Sequence, residues 1–141
     1  MQSKSWVNHL RPKKIPFRRR FARASVALIF RRMENAHEEL LFIQRARREG
    51  DPWSGDMAFP GGRLQPEDES ARAAAERETL EETGMDLGRH GRYITRLSDL
   101  ITRHHSRLRP LVVPPYVFEW HGLGPGPYTH SAPPAKGRGG R

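Results

Sequence analysis

Residues 61–85 read GGRLQPEDESARAAAERETLEETGM: two glycines, three consecutive acids, an alanine-rich run and a second acidic cluster. Ser70 to Thr83 is predicted to be a helix. Ala71, Ala73, Ala74 and Ala75 are strong helix formers, and Asp68 or Ser70 can cap the first turn. Glu67, Asp68 and Glu69 place negative charge where the helix dipole favours it, and Gly84 stands where a C-terminal cap residue belongs. Ahead of the helix, Met57 to Phe59 reads as a short strand stopped by Pro60-Gly61-Gly62. That diglycine is expected to be a loop whose backbone can closely approach a ligand or the helix.

On this helix Glu78, Glu81 and Glu82 fall at i, i+3 and i+4, so their carboxylates share one face. Three neighbouring carboxylates repel one another unless positive charge sits among them. Arg77 is adjacent, but one guanidinium cannot neutralise three acids. A hard dication can, and Mg²⁺ typically takes carboxylates together with phosphate oxygens and water. Taken alone, such a face is more often a solvated acidic surface. A strand, a diglycine, then a helix carrying R-E-x-x-E-E and a terminal Gly is a much rarer combination.

Working outward, Ser25 to Phe30 (SVALIF) is an apolar run of strand length, and Leu40 to Ile43 is a second, with a turn near Asn35 between them. Arg45 to Gly55 is charged and broken by Gly50, Pro52 and Gly55, as a loop would be. Beyond the helix, Tyr93 to Leu97 and Leu111 to Trp120 read as strands, with Pro114-Pro115 expected at an edge or bulge because neither can donate to a ladder. His104 and His105, flanked by Arg103 and Arg107, read as an exposed basic loop. From His121 the chain has no apolar periodicity and is expected to be disordered.

The 141 residues suit one domain of modest core, with 35% hydrophobic residues and 25 Gly and Pro. There is no cysteine, hence neither a disulfide framework nor a thiolate metal site. No apolar run approaches the ~20 residues of a membrane span, so the expectation is a soluble, cytoplasmic protein. The formal charge of +9 is carried by the ends: eight Lys and Arg precede Ser25 with no acid, and three follow Glu119. Between them 14 basic residues face 16 acidic ones, so the middle is about neutral. The acid-free start is similar in charge to a transit peptide but lacks the Ser-rich amphipathic pattern. It reads as a solvated arm able to meet polyanions, including an anionic substrate. The expected organisation is a basic arm at 1–23, a domain at 24–120 and a Gly/Pro-rich tail at 121–141.

Gly62 through Met85, as G-x6-E-x7-R-E-T-x-E-E-x-G-M, resembles the Nudix box. The family pattern usually places five residues between the Gly and the first Glu, whereas Gly62 and Glu69 are separated by six, and Thr79 stands where the pattern has an aliphatic residue. The resemblance implies an α/β/α sandwich with a mixed sheet and a pyrophosphatase acting on a nucleoside diphosphate linked to another moiety. It also implies Mg²⁺ or Mn²⁺ held by Glu78, Glu81 and Glu82, with Arg77 and Glu69 pairing to orient the helix and the Gly61-Gly62 backbone shaping the loop. Glu81 or Glu82 is the candidate general base. Relatives often supply a further carboxylate from a late loop, and after the box this chain offers Asp86, Asp99 and Glu119.

Trp53 to Gly62 is similar to the H-x-G-x-x-x-F-P-G-G segment of the coenzyme A pyrophosphatase branch, with Trp53 in place of the His, and Leu41 to Arg45 loosely matches the preceding L-L-x-x-R strand. Arg45 and Trp53 are therefore assigned to substrate binding. Nudix domains normally continue with a second long helix over the other sheet face, and His121 to Arg141 holds no such pattern, so that helix is expected to be missing from a trimmed domain or a truncated chain. The implied partner is a small nucleotide-type molecule. A binding module without turnover and an RNA-directed protein built on the basic ends are the competing readings. The second ranks lower, because the aromatics do not interleave with the basic runs.

Overall fold

The computed structural model describes residues 10–45, 47, 49–50, 55–103 and 110–123. Trp53, His104, His105 and the tail from residue 124 lie outside the described residues. The central strand, β1 (Ala22–Arg32), contains the predicted apolar run and extends it at both ends. It turns back near Asn35, where Ala36 takes a left-handed backbone (φ 66°) and the Met33 N–H reaches the His37 carbonyl at 2.7 Å. Strand β2 (Glu38–Leu40) then pairs antiparallel with β1.

The second predicted strand is split. Leu41 still donates to the Ile29 carbonyl at 2.9 Å, but β3 (Ile43–Gln44) leaves to pair antiparallel with β4 (Met57–Ala58). This small ladder closes the base of the loop between them, with the Arg45 N–H on Asp56 O and the Gly55 N–H on Arg45 O.

The diglycine is not a loop. Strand β5 (Gly61–Arg63) pairs antiparallel with β1, matching Gly61 to Val26 and Gly62 to Ser25. A Cβ at Gly61 would stand 2.2 Å from the Ser25 carbonyl oxygen, so the glycine is needed for strand approach. Helix α1 (Ala71–Thr83) follows, with Ser70 as N-cap accepting from the Ala73 N–H at 3.0 Å and Gly84 closing it in the left-handed conformation. The three acids precede the first turn and do not lie within it.

After the short α2 (Leu87–His90) come β6 (Gly91–Arg96), β7 (Leu100–Arg103), β8 (Pro110–Val113) and β9 (Pro115–Trp120). β8 and β9 both run parallel to β1, while β6 and β7 pair antiparallel with β9 and β8 respectively, giving a seven-stranded mixed sheet. The two prolines fall within the sheet, at the break between β8 and β9, and not at an outer edge. The interruption is tolerated because the carbonyls still accept: Pro114 from the Val26 N–H and Pro115 from the Leu97 N–H.

The core lies between this sheet and α1. Ala27 and Ile29 of β1 and Tyr116, Phe118 and Trp120 of β9 pack with Ala71, Ala75, Met85 and Leu87. The helix buries only Ala71, Ala74, Ala75 and Thr79, small side chains that let it sit close to the strands. Thr79 fills the expected aliphatic slot by donating its hydroxyl to the Ala75 carbonyl at 2.7 Å. Val26, Leu28 and Phe30, alternating with the core positions, are half-buried. Among the described residues no helix is long and apolar enough to cross a membrane.

Gly61→Ala is expected to destabilise the fold by about 3 kcal/mol or more, because the added carbon meets fixed backbone. Gly84→Ala, in open space but at φ 75°, is expected to cost only about 1 kcal/mol. Thermal midpoints of the two variants check the contrast.

Candidate active site

The inward face of α1 is fixed by its alanines and Thr79, and the neighbouring face carries the acids over β5. Glu78 sits directly on Gly62: a Cβ there would lie 2.6 Å from the Glu78 carboxylate carbon. Glu82 accepts from the Gly61 N–H and shares a hydrogen bond with Glu78. Burial and the neighbouring Glu78 push the Glu82 carboxyl up to about 8, against the opposing pull of Gly61 and the Arg45 charge. Glu81 points elsewhere, its side chain 57% exposed and its carboxylate 3.3 Å from Arg77 Nη1. Among the described residues no group of three acidic or histidine side chains converges as a ready metal cluster. The structure thus brings Glu78 and Glu82 together and holds Glu81 aside on Arg77. The reason is charge: the Arg77 guanidinium, which reaches both Glu78 and Glu81, is the cation this stretch of helix itself provides.

Arg77 is the organising residue. Its Nε and Nη2 donate to the two oxygens of Asp68 at 2.9 Å each, its Nη1 to Glu78 at 3.0 Å, and its Nη2 also to the Arg63 carbonyl at 3.2 Å. The expected pairing of Arg77 with Glu69 is therefore corrected to Asp68. Asp68 accepts the Gln65 N–H at 2.7 Å, which closes a turn and aims its carboxylate back at α1, while Glu69 is exposed. The Arg77 guanidinium holds the Asp68 carboxyl below its usual range, with burial opposing. The signal was available in the spacing: Gly62 and Asp68 are separated by five residues, the usual interval of the box.

The later acids are otherwise engaged. Asp86 caps α2 through the Arg89 N–H, Glu119 is bound by Arg92 at 2.6 Å and His121 at 3.2 Å, and Asp99 is buried against Arg96 and Arg18.

The family model of the NUDIX domain matches residues 21–131. The chain belongs to the Nudix family. An uncharacterised Schizosaccharomyces pombe protein is 41% identical over 81 residues, which are 56% of this chain and 25% of that protein, so the chain spans about a quarter of the length of this curated relative. Among solved structures, a Caenorhabditis elegans Ap4A hydrolase superposes with a TM-score of 0.56 at 20% identity, over 71% of this chain and 68% of that one. The NUDIX domain of Shewanella oneidensis NrtR, complexed with ADP ribose, gives a TM-score of 0.55 at 16% identity, over 88% and 74%. The architecture of this Nudix chain, a mixed sheet bearing α1, is that α/β fold.

Two expectations follow for the Nudix helix. Asp68→Asn should cost about 2 kcal/mol or more by leaving the Arg77 fork without its charged acceptor, whereas Glu69→Gln should be nearly neutral in a denaturant titration. In chelator-treated protein between about pH 4.5 and 8, the folded state keeps on Glu82 a proton that the unfolded chain has already lost. Stability should therefore fall as pH rises through that window, and Glu82→Gln should flatten the slope of thermal midpoint against pH.

Proposed function

We propose that this chain is a metal-dependent pyrophosphohydrolase cleaving a nucleoside diphosphate linked to a second moiety. The observation that carries this reading is the Glu78–Glu82 pair, half-buried on Gly61 and Gly62 and hydrogen-bonded to each other. Such a pair of oxygen donors suits a hard dication, and Glu81, one turn on from Glu78 and next to Glu82, can join once it leaves Arg77. Bound Mg²⁺ or Mn²⁺ supplies charge neutralisation at the phosphate oxygens and acidifies water.

The chain's own residues have distinct parts in the reaction. Glu78 and Glu82 would hold the ion, and Gly62 leaves room for the Glu78 carboxylate. Arg77 is a positioning residue that ties α1 to Asp68 and to the Arg63 carbonyl. Water attacks one phosphorus of the anhydride, the bridging P–O bond breaks, and the water proton passes to a carboxylate. Glu81 is the most exposed of the three and is assigned that role, since Asp86, Asp99 and Glu119 already serve structural partners. Arg45, whose charge acts on Glu82, is assigned to the substrate phosphates, and Trp53 to the substrate's second moiety. The segment from Trp53 to Gly62 favours coenzyme A or a derivative. The absence of cysteine fits work in a reducing compartment such as the cytoplasm.

The test is product release from coenzyme A, ADP-ribose, Ap4A, NADH, dGTP and 5′-triphosphate RNA, each with Mg²⁺ or Mn²⁺. Cleavage is expected to need the metal and to fall roughly 100-fold or more in Glu81→Gln and in Glu82→Gln. Folded, monodisperse protein that binds one of these molecules but turns none over would overturn the enzyme reading and leave a binding module.

A further inference from the structure

Among the described residues before β1, the basic stretch from Lys13 to Arg18 is anchored to the fold. Lys13 N–H donates to Ser98 Oγ at 3.0 Å, Ile15 N–H donates to Asp99 Oδ2 at 2.8 Å, and the Asp99 N–H donates back to the Lys13 carbonyl at 2.9 Å. The Asp99 side chain is fully buried and also takes Arg96 and, at 3.5 Å, Arg18. A single 3-10 turn (Arg18–Arg20) then leads into β1. The consequence is a cavity of about 470 Å³ around which Lys14, Arg18, Arg19, Arg23 and Arg96 converge. Ser70, the cap of α1, and Glu69 complete its wall.

The charges there are out of balance. Five cations meet Glu69 and an Asp99 already shared between two arginines. Arg18 Nε, Arg23 Nε, Arg96 Nε and Arg96 Nη1 are buried without a hydrogen-bond acceptor among the described residues. Such donors are costly to leave unmade, and guanidinium has no way to shed its proton. Burial and the neighbouring Arg18 together hold the Arg23 guanidinium below its ordinary value. An anion with several acceptor oxygens and more than one charge would satisfy these donors and relieve the repulsion between the cations. The volume lies in the range of small-molecule sites.

We propose that this cavity is a second anion site, independent of metal, for a small molecule carrying a diphosphate or triphosphate group. It is distinct from the carboxylate face, because the rise of α1 separates Ser70 from Glu78 and Glu82 by about 12 to 18 Å. The site does not depend on the hydrolase reading. None of its five cations belongs to the Nudix helix.

Calorimetric titration of the chelator-treated full chain with inorganic pyrophosphate and triphosphate tests it, with ADP and adenosine in parallel. Saturable binding of pyrophosphate, triphosphate and ADP that weakens with salt is expected. A Lys14→Gln/Arg19→Gln double variant, changed at two exposed side chains, should bind at least roughly tenfold more weakly with an unchanged thermal midpoint. Arg23→Gln should do the same, and Glu81→Gln should bind like the unaltered protein. Absence of saturable pyrophosphate binding, equal binding by the double variant, or adenosine binding as well as ADP would each overturn the proposal.

Discussion

The guanidinium of Arg77 is the joint on which the acid-bearing half of the molecule depends. It spans the turn at Asp68, the backbone of β5 at Arg63 and the first acid of the carboxylate face at Glu78. Bidentate pairing with an almost wholly buried Asp68 gives it a fixed orientation, which a single-point contact from a lysine would not. The helix it steadies has little apolar surface of its own, burying three alanines and a threonine. Propensity and caps give α1 its extent, but its position against the sheet owes much to this polar network.

Close approach is the second condition. Gly61 lies against β1 and Gly62 lies under Glu78, so consecutive residues without side chains serve two different neighbours. The strand contact brings the β5 backbone into the sheet, and the carboxylate contact lets an acid occupy ground that any Cβ would take. Burial and the nearness of Glu78 raise the proton affinity of Glu82.

Charge is arranged at two places on α1. The acids gather toward the C-terminal half, over β5, while basic residues from the chain's start, with Arg96, gather at its N-terminus. Asp99 makes the second arrangement possible by anchoring both the backbone of Ile15 and the side chains of Arg96 and Arg18. The net charge of +9 is therefore partly an organised feature and not only a solvated fringe.

Local physics made much of this legible in residue order. Ser70 and Gly84 bound α1 because capping depends on the residue itself, and the run from Ser25 to Phe30 marks β1 because continuous burial needs continuous apolarity. The shared face of Glu78, Glu81 and Glu82 follows from helical period alone. Contacts between distant segments were decided by tertiary structure. Gly61 and Gly62 became a strand because β1 offered a free edge, and Leu40 to Ile43 divided because β4 competed for Ile43. Asp68 took Arg77 from Glu69 because the direction of a turn, and not the count of residues to the helix, aims a carboxylate. The docking of Lys13 and Ile15 on Ser98 and Asp99 joins positions more than 80 residues apart, and no periodicity records a pairing of that range.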